Sequence, residues 1–240
     1  RMLGMCREGQ WEVADLDFAQ KPRAMSIEDE QAVVQCFTDM AQIERLAAAL
    51  FVEQGRRVTD PTLREIYSTF VLDEMRHSHV AQMLADHYDR RRLAVYPPSK
   101  SLQQFFPHFI DAIRYLSDDV ANAYITAGEL MLDIALLRSI DDYVDDPLSK
   151  QAMALINRDE SRHIAVDYYM VGYYTSDEYQ AIRAVAPRPK LADVARGAAA
   201  FASMTRRSRP FFRDVFFAPM ARTDPTGKRM RAAFKRMQLL

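Results

Sequence analysis

The chain has 240 residues, 49% of them apolar, and a formal net charge of −1, so it is long enough for one domain with a large buried core. Its 7 glycines and its many alanines, leucines and glutamates favour helix over sheet, and the lack of an uncharged apolar run of about 18 residues predicts no membrane span. The 2 cysteines offer neither a disulfide framework nor a Cys-x-x-Cys metal site, and we therefore expect a cytoplasmic protein.

The predicted elements are all helices, because no strand-like alternation is long enough to support a sheet. Ser26 is a predicted N-cap, and both Asp60-Pro61 and Asp146-Pro147 have the sequence of an N-cap followed by proline at the first helical position. A break near Ser117 interrupts the third long stretch. The long helical stretches are predicted at about 26–55, 60–88, 107–142 and 146–172, and shorter helices at about 190–206, 208–220 and 226–238.

The charge is unevenly distributed between the predicted parts of the chain, which are an irregular segment 1–25, a four-helix unit 26–172 and a helical extension 173–240. Residues 1–180 hold 18 basic and 30 acidic side chains, whereas residues 181–240 hold 14 and 3. We predict that the basic extension packs on the acidic body of its own or a neighbouring subunit. The alternative is a docking surface for an acyl carrier protein, a reductase or anionic lipid. No nucleic-acid-binding motif accompanies the charge, so we expect no nucleic-acid partner.

One pentapeptide pattern, Asp-Glu-x-Arg-His, occurs twice, at residues 73–77 and 159–163. Each copy begins 13 residues after an Asp-Pro pair, and the helix before each copy contains a lone glutamate, Glu44 or Glu129. The pentapeptides are 86 residues apart and the lone glutamates are 85 residues apart. A repeat that keeps four glutamates and two histidines, while little else is kept, is typical of a metal site.

The spacing within each motif suits a metal ion. Residues three apart on an α-helix differ by about 60° in direction and about 4.5 Å in height, so Glu74 and His77 can bind one ion from one helix face. Glu160 and His163 have the same spacing. Four helices can direct these pairs and the two lone glutamates into one interior, where four carboxylates would be strongly destabilising without cations. Oxygen and imidazole ligands together favour iron or manganese over zinc.

Side chains next to these residues have a predicted supporting role. Each motif contains an aspartate four residues before its histidine and an arginine one residue before it: Asp73, Arg76, Asp159 and Arg162. A metal-bound imidazole normally donates its other N–H to a carboxylate, so we predict that these aspartates accept that bond, within their own motif or across the bundle. The arginines are predicted to pair with the aspartates; the alternative is an exposed salt bridge on each helix.

Two further polar residues lie one turn from predicted ligands. Thr126 is predicted to hydrogen-bond a water or oxygen ligand of the metal, and the alternative is a bond to its own helix backbone. Asp167 either reaches the site from the turn after His163 or is an exposed helix charge.

The doubled Asp-Glu-x-Arg-His pattern, with a lone glutamate on each preceding helix, resembles the ferritin-like di-iron oxygenase superfamily over roughly residues 26–172. The motif is most similar to the hydroxylase subunits of bacterial multicomponent monooxygenases, and the spacing is similar to that of the compact aldehyde-deformylating oxygenases. Ala81 and Ile156 stand where two other branches, ribonucleotide reductase small subunits and aryl-amine N-oxygenases, have a radical tyrosine and an extra histidine.

The resemblance implies an all-α fold, a ferritin-like four-helix bundle with additional C-terminal helices. It implies two iron ions, or manganese or a mixed Mn/Fe pair, with Glu74 and Glu160 as bridging carboxylates. The six implied catalytic metal ligands are Glu44, Glu74, His77, Glu129, Glu160 and His163.

The function expected from this resemblance is O2-dependent oxidation, by hydroxylation or N-oxygenation, of a small organic or carrier-bound substrate. An external ferredoxin or reductase would supply electrons, and we expect a homodimer. Two alternatives use the same ligands: a ferroxidase or iron-handling protein, and a metal-stabilised binding module without catalysis. A pocket at the metals would favour the oxygenase over both.

Overall fold

The computed structural model describes residues 1–187 and 189–238, and over these residues the chain forms nine helices and no strand. The prediction of an all-α fold is confirmed for this part of the chain; positions 188, 239 and 240 of the predicted extension lie outside it. The helices are α1 (Met2–Glu8), α2 (Ile27–Arg57), α3 (Pro61–Tyr88), α4 (Lys100–Tyr115), α5 (Asp118–Val144), α6 (Pro147–Tyr174), α7 (Asp177–Val185), α8 (Leu191–Phe211 with its continuation to Thr223) and α9 (Lys228–Met237).

Four long helices contact one another in a closed ring, in which α2 packs on α3, α3 on α6, α6 on α5 and α5 on α2. Three of them begin at a side-chain N-cap, because Ser26 Oγ, Asp60 Oδ1 and Asp146 Oδ1 accept hydrogen bonds from the backbone N–H groups three residues later. These caps fix where the three helices start. They therefore fix the level along the bundle axis at which the polar residues of each helix face the interior.

The structure departs from the predicted elements at the N-terminus, at the start of α4 and in the C-terminal extension. The N-terminal segment is not irregular throughout, since it contains α1 and a short 3-10 turn, Val13–Asp15, both of which pack on α3. The break predicted near Ser117 lies between α4 and α5, but α4 begins at Lys100, seven residues before the predicted start of the third stretch. In the extension, α7 was not predicted, and the predicted helices 190–206 and 208–220 form the single continuous helix α8.

Helix α5 is the most apolar of the described helices. By length and composition it could cross a membrane, but 72% of its most apolar window is buried inside the protein. Core helices pass the same test, so the prediction of no membrane span stands as a prediction. Its segment Met131–Leu137 is π-helical, and all seven of these residues are buried. The π-helical segment begins two residues after Glu129.

The C-terminal extension packs on α4 through aromatic contacts and on the four-helix ring through α9 and through ion pairs. The ring of Phe211 in α8 stacks on that of Phe105 in α4, with 4.3 Å between centroids. Arg229 in α9 pairs with Asp142 at 2.7 Å. Arg222 also pairs with Asp29 of the acidic body. Basic side chains of the extension therefore meet acidic side chains of their own chain, and the docking surface for a partner stays a prediction.

Candidate metal centre

The six side chains predicted as ligands lie together inside the ring of helices. All are buried, with at most 3% of their surface exposed. Helices α2 and α5 each supply one glutamate, whereas α3 and α6 each supply a Glu-x-x-His pair. They form two groups whose ligand atoms lie within 4.8 Å of one another: Glu44, Glu74, His77 and Glu160 in one, and Glu74, Glu129, Glu160 and His163 in the other.

The two glutamates common to both groups lie between the two histidines. His77 Nδ1 is 3.7 Å from Glu74 Oε2 and 3.2 Å from Glu160 Oε1. His163 Nδ1 is 2.9 Å from Glu74 Oε1 and 3.4 Å from Glu160 Oε2. Each shared carboxylate thus directs one oxygen towards each imidazole. This is the arrangement that two cations bridged by two carboxylates require.

Unsatisfied polar atoms show that this cluster fits a metal pair. Within the described residues, nine of its atoms are buried without a hydrogen-bond partner: both carboxylate oxygens of Glu44, Glu74 and Glu160, Oε2 of Glu129, and Nδ1 of His77 and His163. Buried polar atoms are nearly always paired in folded proteins, because an unpaired one costs about 1–3 kcal/mol. Cations would satisfy these atoms together, since every one of them is a potential metal ligand.

Glu44 and Glu129 each belong to one of the two groups, and their protonation also supports the conclusion that the cluster fits a metal pair. Burial, reinforced by the charges of Glu74 and Glu160, raises the pKa of Glu44 and of Glu129 well above the usual range. Without cations, burial therefore favours the protonated form of both side chains, and a metal ion would displace the protons. Burial alone would also raise the pKa of Glu160, but the neighbouring His163 and His77 outweigh it and lower the pKa.

The aspartates of the two motifs contact the histidines crosswise. His77 Nε2 lies 3.2 Å from Asp159 Oδ2, and His163 Nε2 lies 3.4 Å from Asp73 Oδ2. The pairing is therefore across the ring, which is one of the two predicted arrangements. A carboxylate at Nε2 fixes the proton on that nitrogen and leaves Nδ1 free to bind a cation.

Both arginines of the motifs contact these aspartates and are not exposed salt bridges. Arg162 Nη2 donates to Asp159 Oδ1 at 2.8 Å and to Asp73 Oδ2 at 3.2 Å. Arg76 Nη1 donates to Asp73 Oδ1 at 3.1 Å. Arg162 is 6% exposed and Arg76 is 14% exposed at the side chain, so the two positive charges balance two buried carboxylates.

The N-terminal segment adds two residues that the sequence did not indicate. Trp11 Nε1 donates to Asp159 Oδ2 at 2.7 Å, and its ring stacks against the ring of His77 with 6.4 Å between centroids. Gln10 Nε2 donates to Asp73 Oδ1 at 3.1 Å. No local signal marks these side chains, because their partners lie more than 60 residues away along the chain.

The structure distinguishes between the alternatives given for Thr126 and for Asp167. The Thr126 hydroxyl donates to Asn122 O at 2.8 Å, which is the backbone alternative, so its proton is not directed at the six ligands. Asp167 is fully buried, which excludes the reading as an exposed helix charge. Burial, opposed by the charge of His163, raises the pKa of Asp167 to about 7.

Asp133 is another buried carboxyl group near the site. It lies one turn after Glu129, within the π-helical segment, and accepts a hydrogen bond from Arg138 Nη2 at 3.0 Å. Burial, followed by the charge of Glu160, raises the pKa of Asp133 to about 6. Its position four residues after a predicted ligand was the signal available in the sequence.

An apolar cavity of about 370 Å³ adjoins the cluster, and Glu129 forms part of its wall. Helices α2, α4 and α5 supply one side, through residues such as Leu46, Phe109 and Leu132, and α8 supplies the other through Met204 and Phe211. The extension therefore builds part of a cavity beside the candidate metal centre, which its sequence did not indicate.

The remaining histidines take no part in the cluster. His79 is exposed, and His87 and His108 are partly exposed.

No protein-family model matches the sequence, and no solved structure matches the chain.

Proposed function

We propose that this protein is a dinuclear non-haem iron oxidase or oxygenase of the ferritin-like type, built on a four-helix bundle formed by α2, α3, α5 and α6. The observation that carries the proposal is the pair of buried four-residue groups that share Glu74 and Glu160. Four carboxylates and two imidazoles suit iron, and manganese or a mixed pair uses the same ligands. When bound, the two ions would supply the electrons and open coordination positions that O2 reduction needs.

The residues of this chain have distinct roles in the proposed site. Glu44 and Glu129 would bind one ion each, and the two shared glutamates would bridge the ions. Asp73 and Asp159 would hold the imidazoles in the tautomer that leaves Nδ1 free, through the contacts at 3.4 and 3.2 Å. Arg76 and Arg162 would keep those aspartates ionised.

The cavity beside Glu129 favours oxidation of an organic substrate over iron oxidation alone. An apolar space of about 370 Å³ has no use in a ferroxidase, whose substrate is a hydrated cation. In a monooxygenase reaction one oxygen atom enters a C–H or N–H bond and the other leaves as water. Two protons and two electrons are consumed, and a ferredoxin or reductase would provide those electrons.

The ligand assignment predicts different metal contents for different variants. Glu74→Ala should lose most of both ions, because Glu74 belongs to both groups, whereas Glu44→Ala should lose about one ion per chain. Elemental analysis after anaerobic loading with Fe(II) measures this. Glu53→Ala is the matched control, since Glu53 is a buried glutamate of α2 that pairs with Arg114 at 2.9 Å away from the cluster.

Function is tested by exposing the reduced, iron-loaded protein to O2 and recording its optical spectrum. An O2-dependent spectral change that Glu74→Ala lacks and Glu53→Ala keeps is the expected result. Two bound ions with no such change would contradict an oxidase and favour the binding module. Release or mineralisation of Fe(III), with no effect from blocking the cavity, would favour the ferroxidase.

A further inference from the structure

One face of α3 is exposed along most of the helix and has no acidic residue, lysine or arginine in its middle part. Seven exposed residues recur on it at intervals of three and four positions. At about 100° per residue they fall within an arc of about 80°. We call this series the α3 stripe, and its residues are Arg64, Ser68, Leu72, Met75, His79, Gln82 and Asp86.

The middle of the α3 stripe exposes large apolar side chains. Leu72 is 61% exposed and Met75 is 49% exposed. Val52 of α2 faces the same side: it is 37% exposed and lies seven positions after Arg45, whose guanidinium donates to Ser78 of α3 at 3.1 Å. The body of the protein carries an excess of acidic side chains, so a neutral face is where a second acidic body could approach without repulsion.

The spacing of the α3 stripe is that of a contact between two helices. Intervals of four and three alternate from Ser68 to Asp86, and this 3.5-residue repeat is the one by which a helix keeps facing a partner helix. From Arg64 to Asp86 the stripe is about 33 Å long. Helices α1 and α2 pack on α3 but leave all seven residues exposed. The described part of the chain therefore supplies no partner helix for this face.

The α3 stripe is complementary to itself when two copies lie antiparallel. If Met75 is on a two-fold axis, each residue faces the one that is equally far from Met75, on the other side, in the second copy. Arg64 lies eleven positions before Met75 and Asp86 eleven positions after it, so opposite charges would meet at both ends. Ser68 and Gln82 lie seven positions before and after it, and both are polar.

The two charged residues at the ends are available for such a contact. Among the described residues, the Arg64 guanidinium donates to Val58 O at 2.9 Å and the Asp86 carboxylate accepts from Gln82 Nε2 at 3.2 Å. Neither has a partner of opposite charge within that part of the chain. Both side chains are exposed, so each can pair with a second molecule.

We propose that the α3 stripe is the contact between two copies of this chain, which form an antiparallel α3–α3 dimer with Met75 at the two-fold axis and Arg64 opposite Asp86 of the second copy. Self-complementarity is what a two-fold contact between copies requires, and a different partner would not require it. The inference is independent of the proposed function, because the stripe is exposed whereas the ligands that α3 supplies, Glu74 and His77, are fully buried.

Sedimentation velocity of the full chain over a range of protein concentrations measures the dimer and its dissociation constant. Met75→Arg should weaken the dimer at least tenfold, because it places two like charges against each other at the axis. Leu191→Arg is the matched control and should leave the constant unchanged, since Leu191 is 88% exposed on α8, which packs on α4. Circular dichroism verifies that both variants keep their helical content.

A charge exchange tests the register of the two helices. Arg64→Glu and Asp86→Arg should each weaken the dimer on the order of tenfold, because each replaces two opposite-charge contacts by two like-charge contacts. The double variant should restore the dissociation constant to within about twofold. An equimolar mixture of the two single variants should form a mixed dimer, since opposite charges then meet at both ends.

A protein that is monomeric at every concentration would overturn the inference. A dimer that survives Met75→Arg, or that Leu191→Arg dissociates, would also overturn it, because the contact would then lie on another surface. Loss of the dimer in both single charge variants, without recovery in the double variant or in the mixture, would refute the antiparallel register. The metal content of the same samples tests the proposed function separately and should not change between monomer and dimer.

Discussion

Each histidine of the doubled motif depends on the aspartate of the other copy. Asp159 contacts His77, and Asp73 contacts His163, so neither pentapeptide could orient its own imidazole alone. Asp159 also accepts the Trp11 indole N–H, and these contacts outweigh burial and lower the pKa of Asp159. At the residue scale the site is therefore a single network of charges, in which the buried Arg162 and the partly buried Arg76 offset two aspartates, and cations would offset the glutamates.

Asp167 is a buried carboxyl group in this region whose titration should be measurable. Burial raises its pKa from 3.8 to about 7, so the folded state holds a proton that the unfolded state loses. Its contribution to stability is fully present below pH 3.8 and is lost as the pH rises towards 7. In metal-free protein, Asp167→Asn should therefore gain on the order of a few kcal/mol over wild type between about pH 4 and about pH 8.

Urea denaturation of both proteins across that pH range measures the difference in free energy of unfolding. A constant difference at all pH values would mean that Asp167 titrates normally in the folded chain. Asp142→Asn, which removes an exposed carboxylate, is the control.

At the scale of elements, the two helices that contain Glu-x-x-His begin with the same Asp-Pro cap in different surroundings. Asp60 is exposed and, among the described residues, accepts a single hydrogen bond, from Leu63 N at 2.8 Å. Asp146 is 5% exposed and accepts bonds from Ser149 N at 2.9 Å and from the Tyr88 hydroxyl at 2.6 Å. The cap of α6 is therefore also a tertiary contact with the end of α3.

The two caps should consequently differ in their effect on stability. Asp60→Ala should cost about 1 kcal/mol, the usual value for an exposed N-cap. Asp146→Ala should cost roughly 2–4 kcal/mol, because it also leaves the buried Tyr88 hydroxyl without its acceptor. Midpoints and slopes of urea denaturation curves provide the comparison. Equal losses would show that the Tyr88 contact contributes nothing beyond the cap.

At the scale of the whole molecule, two kinds of contact hold the C-terminal extension on the rest of the chain, namely ion pairs and aromatic packing. Its ion pairs with the acidic body, such as Arg229 with Asp142, lie at the surface, where they are screened by solvent. Its aromatic contacts are buried: Phe211 is 5% exposed and stacks on Phe105. Burial of apolar area, more than charge, should therefore hold the wall of the cavity in place.

Two alanine substitutions should therefore have unequal effects on the free energy of unfolding. Phe211→Ala should destabilise the protein by about 3–5 kcal/mol, as expected for a buried phenylalanine, whereas Arg229→Ala should cost less than about 1 kcal/mol. Chemical denaturation at low and high salt measures both losses. A strong salt dependence, or a larger loss for Arg229→Ala, would show that electrostatic attraction holds the extension.

The sequence by itself determined the helices and the residue types of the candidate site. Helical periodicity and N-caps depend on neighbours within a few positions, so Ser26 and the Asp-Pro pairs marked where three long helices begin. The Glu-x-x-His spacing is likewise local, since one helix face suffices to bring its two ligands together.

Only the tertiary structure decided which partners those residues meet. The crosswise contacts join residues 82 and 90 positions apart, and Trp11 reaches Asp159 over 148 positions. The cavity exists because α8 packs on α4 and, together with it, encloses a space that α2 and α5 also line. Such contacts leave no periodic trace in the chain, because they depend on how faces of separate helices meet, and that is a property of the packed protein alone.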